Sequence, residues 1–321
     1  MKNNYLAILV LMVLGFCSTD ITAQQEAQYT HYMYNPLSIN PAYAGTREVF
    51  SILGLARSQW VGLDGAPKTG TFSMHSPVGK RVGLGLNIVH DEIFIQKETY
   101  IDIDFSYTID VSERGKLSFG VKGGAQLLDI NSNRANKGPY DIGDSSADIN
   151  IDNRFKPQIG AGAFYYGERF YLGLSVPNIL TTNHFDRSAL SDTNNTVTLS
   201  RSSIAEERIH YYLLTGYVFD INEDIKLKPA LLTKATVGAP LQLDVSATFL
   251  IYDKLSIGGA YRWSAALSAM VGFQLSDQLM LGVGYDQETT ALHRYNDGSY
   301  EVFLRYELFK RNDKMKNPRF F

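Results

Sequence analysis

Residues 100–109 read YIDIDFSYTI, and their alternation sets the frame for the whole chain. Ile101, Ile103, Phe105, Tyr107 and Ile109 share one parity, while Asp102, Asp104, Ser106 and Thr108 share the other. Successive side chains of a strand point to opposite faces, so the stretch predicts a strand with one greasy face and one face carrying carboxylates. Residues 240–252, PLQLDVSATFLIY, repeat the pattern. Leu241, Leu243, Val245, Ala247, Phe249 and Ile251 oppose Gln242, Asp244, Ser246 and Thr248. A transmembrane barrel turns the first face to lipid and the second to a wet lumen. A soluble β-sandwich shows the same alternation with the faces inverted. Period alone does not choose between them.

Loop spacing does. Alternation and turn residues predict about fourteen strands, most near the 9–11 residues of a membrane-spanning strand. They fall near 49–57, 68–76, 81–90, 97–109, 115–127, 157–167, 169–177, 209–220, 225–234, 240–252, 254–263, 267–275, 277–287 and 299–309. One set of connections is short and polar: SPVGKR, DVSERG, YGER, FDINEDI, YDK and LSDQ. The other holds RSQWVGLDGAP, the stretches near 127–156 and 178–208, and DQETTALHRYNDGS. Short turns at one end and long loops at the other mark an outer-membrane barrel, and a sandwich has no reason to sort its loops so. The expected fold is therefore all-β: a transmembrane antiparallel β-barrel of about 14 strands over 49–309, preceded by a short periplasmic or lumenal segment. An even strand count places both termini on the short-turn, periplasmic side. The last strand, SYEVFLRYELF, turns Tyr300, Val302, Leu304, Tyr306 and Leu308 outward. Residues 310–321 form a short basic tail, read as a solvated end.

The start of the chain agrees with export. Lys2, an apolar run from Tyr5 to Phe16 and a polar stretch ending ITAQQ have the layout of a secretory signal peptide over 1–23, cleaved after Ala23. Cys17 raises a lipoprotein alternative, but bulky Phe16 before it argues against lipidation. Cys17 is the only cysteine of the 321 residues, so once the leader is removed disulfides and thiolate chemistry are excluded. The net charge of −3 leaves no basic footprint for nucleic acid. After residue 23 no apolar run approaches a membrane helix, whereas 20 tyrosines and 17 phenylalanines suit aromatic girdles.

Catalytic and metal motifs are missing. The histidines at 31, 75, 90, 184, 210 and 293 show no metal-ligand spacing, and no G-x-S-x-G elbow is present. His75–Ser76 reads as a strand end. The chain is not expected to be an enzyme, and no cofactor or metal is called for. The acidic loop DIGDSSADINID offers Asp141, Asp144, Asp148 and Asp152 as oxygen ligands for calcium, but without EF-hand spacing it reads as a solvated loop. Glycines two apart, Gly83/Gly85, Gly160/Gly162 and Gly282/Gly284, share a strand face and are placed in the lumen, where they shape the wall or leave room for an inserted peptide.

The segment before the first strand, QYTHYMYNPLSINPAYAG at residues 28–45, is of another kind. Two Asn-Pro steps, Asn35-Pro36 and Asn40-Pro41, are surrounded by Tyr29, Tyr32, Tyr34 and Tyr43. Proline drives the preceding residue to an extended state, which predicts a kinked, extended coil with large tyrosine contact area. Such a segment serves as a plug or as a docking surface for a protein.

This segment and RSQWVGLDGAPKTGTFSMHSPV after it resemble the PorP/SprF family, membrane proteins of the type IX secretion system in Bacteroidota. The matching residues are Gln28, Tyr32, Asn35, Pro36, Asn40, Pro41, Ala42, Gly45, Arg57, Gln59, Trp60, Gly62, Gly65, Ala66, Pro67 and Thr69. The resemblance implies an outer-membrane barrel that supports export or cell-surface retention of a secreted cargo carrying a C-terminal sorting domain, such as a gliding adhesin. Its partners would be that cargo, other type IX components and outer-membrane lipid. The expected partner-binding or plug residues are Tyr29, Tyr32, Tyr34, Asn35, Pro36, Asn40, Pro41, Tyr43, Gly45, Gln59, Trp60, Gly62, Gly65 and Pro67. On this reading residues 28–45 partly occlude the lumen and cargo docks near the Trp60 loop, although Trp60 also suits the lipid boundary. The alternative function is a solute channel or uptake porin, with Lys226, Lys228, Asp102, Asp104 and Asp244 lining a wet pore.

Overall fold

In the computed structural model the described residues are 32, 34–131, 150–180, 186–193, 196–203 and 208–308. The predicted signal peptide, Tyr29, the tail and most of the acidic loop lie outside them. Strands β1 (Phe50–Ser58), β2 (Lys68–Val78), β3 (Val82–Ile93), β4 (Gln96–Ser112), β5 (Gly115–Asn131), β6 (Asn150–Gly167) and β7 (Phe170–Val176) follow one another in antiparallel order. A separate hairpin, β8 (Asp186–Thr193) and β9 (Thr196–Ser203), precedes β10 (His210–Tyr217). After β10 come β11 (Phe219–Asp220), β12 (Ile225–Thr236), β13 (Gln242–Ile251), β14 (Leu255–Arg262), β15 (Ala266–Gln274), β16 (Leu279–Glu288) and β17 (Ser299–Leu308). The two-residue β11 continues β10 beyond Val218, so the wall consists of 14 strands. Its ends meet where β1 pairs with β17 over the full Phe50–Ser58 stretch, and the barrel is closed.

Burial is inverted relative to a soluble core. Along β4, Ile103 is 63% exposed and Asp104 0%. Ile101, Phe105 and Tyr107 are exposed with Ile103, while Asp102 and Ser106 are buried with Asp104. The same division holds for Val245, Ala247 and Phe249 against Asp244, Ser246 and Thr248 on β13. Only a lipid solvent makes an apolar outside and a polar inside the favourable arrangement, which removes the sandwich.

The connections at 79–81, 113–114, 168–169, 221–224, 252–254 and 275–278 lie at one end, the short-turn end. At the other end lie the strand ends that bound 59–67, 132–149, 177–209 and 289–298, and also the brief connections 94–95, 237–241 and 263–265. Loop sorting is therefore present but less uniform than expected. Two strand assignments also need correction. β6 begins at Asn150, not near 157, and makes a tall wall with β4 and β5. The stretch near 178–208, read as loop, contains the β8–β9 hairpin.

Candidate functional site

The segment before β1 lies inside the barrel. Tyr32, Tyr34 and every residue from Asn35 to Arg47 except Ser38 are buried. It is not an extended coil. Each Asn-Pro step opens a 3-10 turn, Pro36–Ser38 and Pro41–Tyr43, because proline already holds the φ of a first helical residue and lacks the N–H that would go unused there. Asn35 and Asn40 stay non-helical before them, as a pre-proline residue should. The Asn40 carboxamide oxygen accepts the Ala42 N–H at 3.0 Å and caps the second turn.

From this compact pair of turns, bonds run to strands around the wall. Asn35 donates to Ser73 Oγ on β2 at 2.9 Å, and Ser73 donates onward to Asn87 Oδ1 on β3 at 2.6 Å. Ser106 on β4 donates to the Ala44 carbonyl at 2.7 Å, Lys122 on β5 to the Ser38 carbonyl at 3.4 Å, and Ser175 on β7 to the Ile39 carbonyl at 2.7 Å. Asn40 donates to the carbonyls of Ala163 on β6 and Leu174 on β7 at 3.1 and 3.4 Å. Across the lumen, Tyr32 shares a hydrogen bond with Ser246 on β13 and Tyr34 with Ser256 on β14. Burial pushes both phenols above their ordinary range, so they act as neutral groups. The Tyr34 ring lies 4.6 Å from the Phe303 ring, with Lys228 Nζ at 5.7 Å and the Arg305 guanidinium at 5.9 Å from its centroid.

The plug occupies the short-turn half. Gly45 lies against Pro77 and Gly83, which flank the 79–81 turn, and Arg47 pairs with Glu307 near the end of β17. His75 is not at a strand end: β2 runs on to Val78, and the inward imidazole accepts the Gly45 N–H at its Nδ1, 3.2 Å away. Glu307, Ser51, His75, Gly85, Asp104 and Lys122 are successive register partners from β17 to β5 and form one lumenal belt at plug level. Missing side chains make the space. A Cβ at Gly83 would stand 2.1 Å from the Ala44 carbonyl oxygen, one at Gly120 2.2 Å from the Ala42 nitrogen, and one at Gly162 2.1 Å from Asn40 Oδ1. The lumenal glycine pairs thus divide. Gly83, Gly85 and Gly162 face the plug, whereas Gly160 faces Pro177 and Gly282 faces the Phe303 ring.

The second motif block sits at the opposite end. Gln59 donates its N–H to the Pro67 carbonyl at 2.9 Å and closes the 59–67 loop at its base. Trp60 donates its backbone N–H to Ser299 Oγ at 3.2 Å and its indole N–H to Glu288 Oε1 at 3.0 Å, with φ at 47°. Val61 exchanges backbone bonds with Gly298 and Asp297, and the Gly65 carbonyl accepts from Phe94. Gly62 and Gly65 have φ of 98° and 76°, which their neighbours' path requires and L side chains resist. The block builds a platform joining 59–67, 289–298 and the 94–95 turn. Trp60 is half-buried and tied to a carboxylate, while Phe94 of the 94–95 turn and Tyr295 of the 289–298 connection are exposed. The two blocks are thus not brought together in one site. β1 runs between them, and its Arg57 points inward below the platform, with Nη2 2.7 Å from Asp286 and Nη1 3.0 Å from Glu301.

Charged lumen residues are occupied in the same way. Lys122 meets Asp102 at 3.0 Å, and Arg262 meets Asp244 at 3.0 Å. Lys228 lies under the plug, and Lys226 pairs with Asp253 at the short-turn rim at 2.5 Å. Of the five residues assigned to a wet pore, Lys228, Asp102, Asp104 and Asp244 are buried and Lys226 lies at the rim. Residues that the sequence analysis does not single out include Gly120, Ser175, Arg305 and Glu307. Among the described residues no cluster of three or more metal-ligating side chains is found, and of the acidic-loop aspartates only Asp152 is described.

Residues 21–306 match the family described as type IX secretion system membrane protein PorP/SprF. The chain belongs to that family. It is an outer-membrane β-barrel of the type IX secretion system. No curated protein matches it. Among solved structures, the outer membrane protein Omp33 of Acinetobacter baumannii is 8% identical, covering 81% of this chain and 99% of that one, at a TM-score of 0.45. A deletion mutant of the monoaromatic hydrocarbon channel TodX is 8% identical over 89% of this chain and 96% of that one, at 0.49. The KdgM porin is 10% identical over 81% and 99%, at 0.35. Likeness at this level carries nothing about what the barrel handles.

Proposed function

We propose that this PorP/SprF barrel supports export or cell-surface retention of a secreted protein by binding it, and that it neither catalyses a reaction nor passes solutes in its plugged form. The filling of the lumen by the segment before β1 supports this reading. A water-filled pore keeps its lumenal charges hydrated, yet Asp104, Lys228, Thr248 and Ser118 are each at most 1% exposed with residues 34–47 seated among them. Short turns of bacterial barrels face the periplasm, so both ends of the wall and the plug belong there, and the Trp60 platform faces outward. That platform is rigidly bonded and displays exposed Phe94 and Tyr295, large low-entropy surfaces of the kind that anchor protein partners. The partner is a secreted cargo with a C-terminal sorting domain, held alongside other type IX components within outer-membrane lipid.

Affinity capture of the tagged protein from its native envelope, followed by peptide identification, tests the proposal. Enrichment of one secreted protein that is lost with Trp60→Ala is the expected result. Capture without any secreted protein, together with steady ion conductance of the intact chain in planar bilayers, would favour the solute channel instead.

A further inference from the structure

The wall beneath the plug carries polar groups that the plug does not satisfy. Asp104 is completely buried, and neither of its carboxylate oxygens accepts a hydrogen bond from any described residue. Asp102 Oδ1, at the next lumenal position of β4, and Ser118 Oγ on β5 are buried in the same condition. The plug residue at this level is apolar: seen from where Gly85 would carry a Cβ, the two Leu37 methyls stand 3.2 and 3.3 Å away and the Asp104 Cβ 3.3 Å away, so leucine and aspartate both border the space left by the glycine. The neighbouring cation, Lys122, gives its hydrogen bonds to Asp102 and to the Ser38 carbonyl and bears on Asp104 through its charge, without donating to it. A buried carboxylate without donors is costly, whereas a vacated lumen would hydrate it.

The attachment of the plug points the same way. Among the described residues no backbone-to-backbone hydrogen bond joins it to the wall, and its bonds there use side chains. Its link to β1 holds two left-handed residues, Gly45 at φ 72° and Glu48 at φ 61°. The second is a conformation that a non-glycine residue seldom takes, and a few such positions suffice to absorb a swing.

We infer that the plug is a displaceable gate, its seated state weakened by Asp104 at the level of Leu37 and its path out pivoting on residues 45–48. The inference needs only the seated plug and stands whether or not a secreted cargo is the partner. Single-channel recording of the purified full chain in planar bilayers tests it. The unsubstituted barrel should open intermittently. Asp104→Leu, which replaces the orphan carboxylate with a methyl-bearing group against Leu37, should lower the opening frequency about tenfold. Asp104→Asn, which removes charge at constant size, should lower it less. As a second readout, Ala42→Cys, introduced with Cys17→Ser, places a thiol at a fully buried position against Gly120. A membrane-impermeant maleimide should label it only in the open state, and more slowly with Asp104→Leu. Openings and labelling that are unchanged or faster in heat-modifiable, folded Asp104 variants would overturn the gate. So would an unsubstituted barrel that never opens and never labels. If neither Asp104 variant folds, the carboxylate is a building element of the wall and the gate falls equally.

Discussion

The two halves of this lumen are closed by different means. In the short-turn half, a separate stretch of chain fills the space, held by hydrogen bonds from Asn35 to Ser73, from Ser106 and Ser175 to its carbonyls and from Asn40 to the wall, by the apolar fit of Leu37 and Ala42, and at its base by the buried Arg47–Glu307 pair. Toward the long-loop end, the wall closes on itself through its own charges, Arg57 with Asp286 and Glu301 and Arg262 with Asp244. A plug made of chain is removable without dismantling the wall. A cross-wall ion pair is not, because deleting one partner strands the other in a medium that solvates it poorly. The short-turn half therefore has the makings of a moving part and the other half those of a brace.

Deleting residues 28–45 is the sharpest way to break this comparison and should have the largest effect. The barrel should still migrate in heat-modifiable form, and planar bilayers should pass from brief openings to a sustained open level. A deletion that leaves conductance unchanged would mean that wall side chains alone seal the lumen. Arg57→Met addresses the other half. It leaves Asp286 and Glu301 buried near each other, and a loss of roughly 3–5 kcal/mol in urea refolding equilibria is expected, with the plug still seated. Ile103→Arg sharpens the contrast between the outer and inner faces. It should cost about 2–4 kcal/mol near the bilayer midplane, against far less for Asp104→Asn on the adjacent inward position, in the same refolding assay. The smallest effect belongs to Asn40→Ala, which loses the cap of the second turn and the contacts to β6 and β7. A cost of roughly 0.5–2 kcal/mol is expected, seen as more frequent openings with no change in barrel migration.

The platform and the plug also differ in how far they could be read in advance. Trp60, Gly62, Gly65 and Pro67 act within a local loop, and the Gly- and Pro-rich spelling of that loop announces a tight turn. Its tie to Glu288 and Gly298 does not show, since Glu288 ends β16, Gly298 directly precedes β17, and both meet the loop after β1 only because the barrel closes. The plug residues were recognisable as unusual, but their conformation was not. The Asn-Pro steps predict an extended coil, whereas the prolines start two 3-10 turns. Local reading also failed where alternation was weak. NIDNRFK at 150–156 has no clean greasy face and contains Asn153 at φ 44°, so the first half of β6 was missed. The polar strands of the β8–β9 hairpin carry no face to reveal them.

What the sequence determined by itself is whatever depends on neighbours two residues apart. The outward Ile101, Ile103 and Phe105, the inward Asp102 and Asp104, the strand number and the sorting of short turns from long loops all follow from a period of two and from turn chemistry. Closure decided the rest. Tyr32 meets Ser246 across a separation of 214 residues and Tyr34 meets Ser256 across 222, contacts that no window of sequence contains. Alternation places Gly120, Ser175, Arg305 and Glu307 on the lumenal face and says nothing about what stands opposite. Once the wall curves round and the chain before β1 folds into it, those positions become a socket. The physical reason is that facing inward is a property of one strand, whereas fitting a plug is a property of the whole ring.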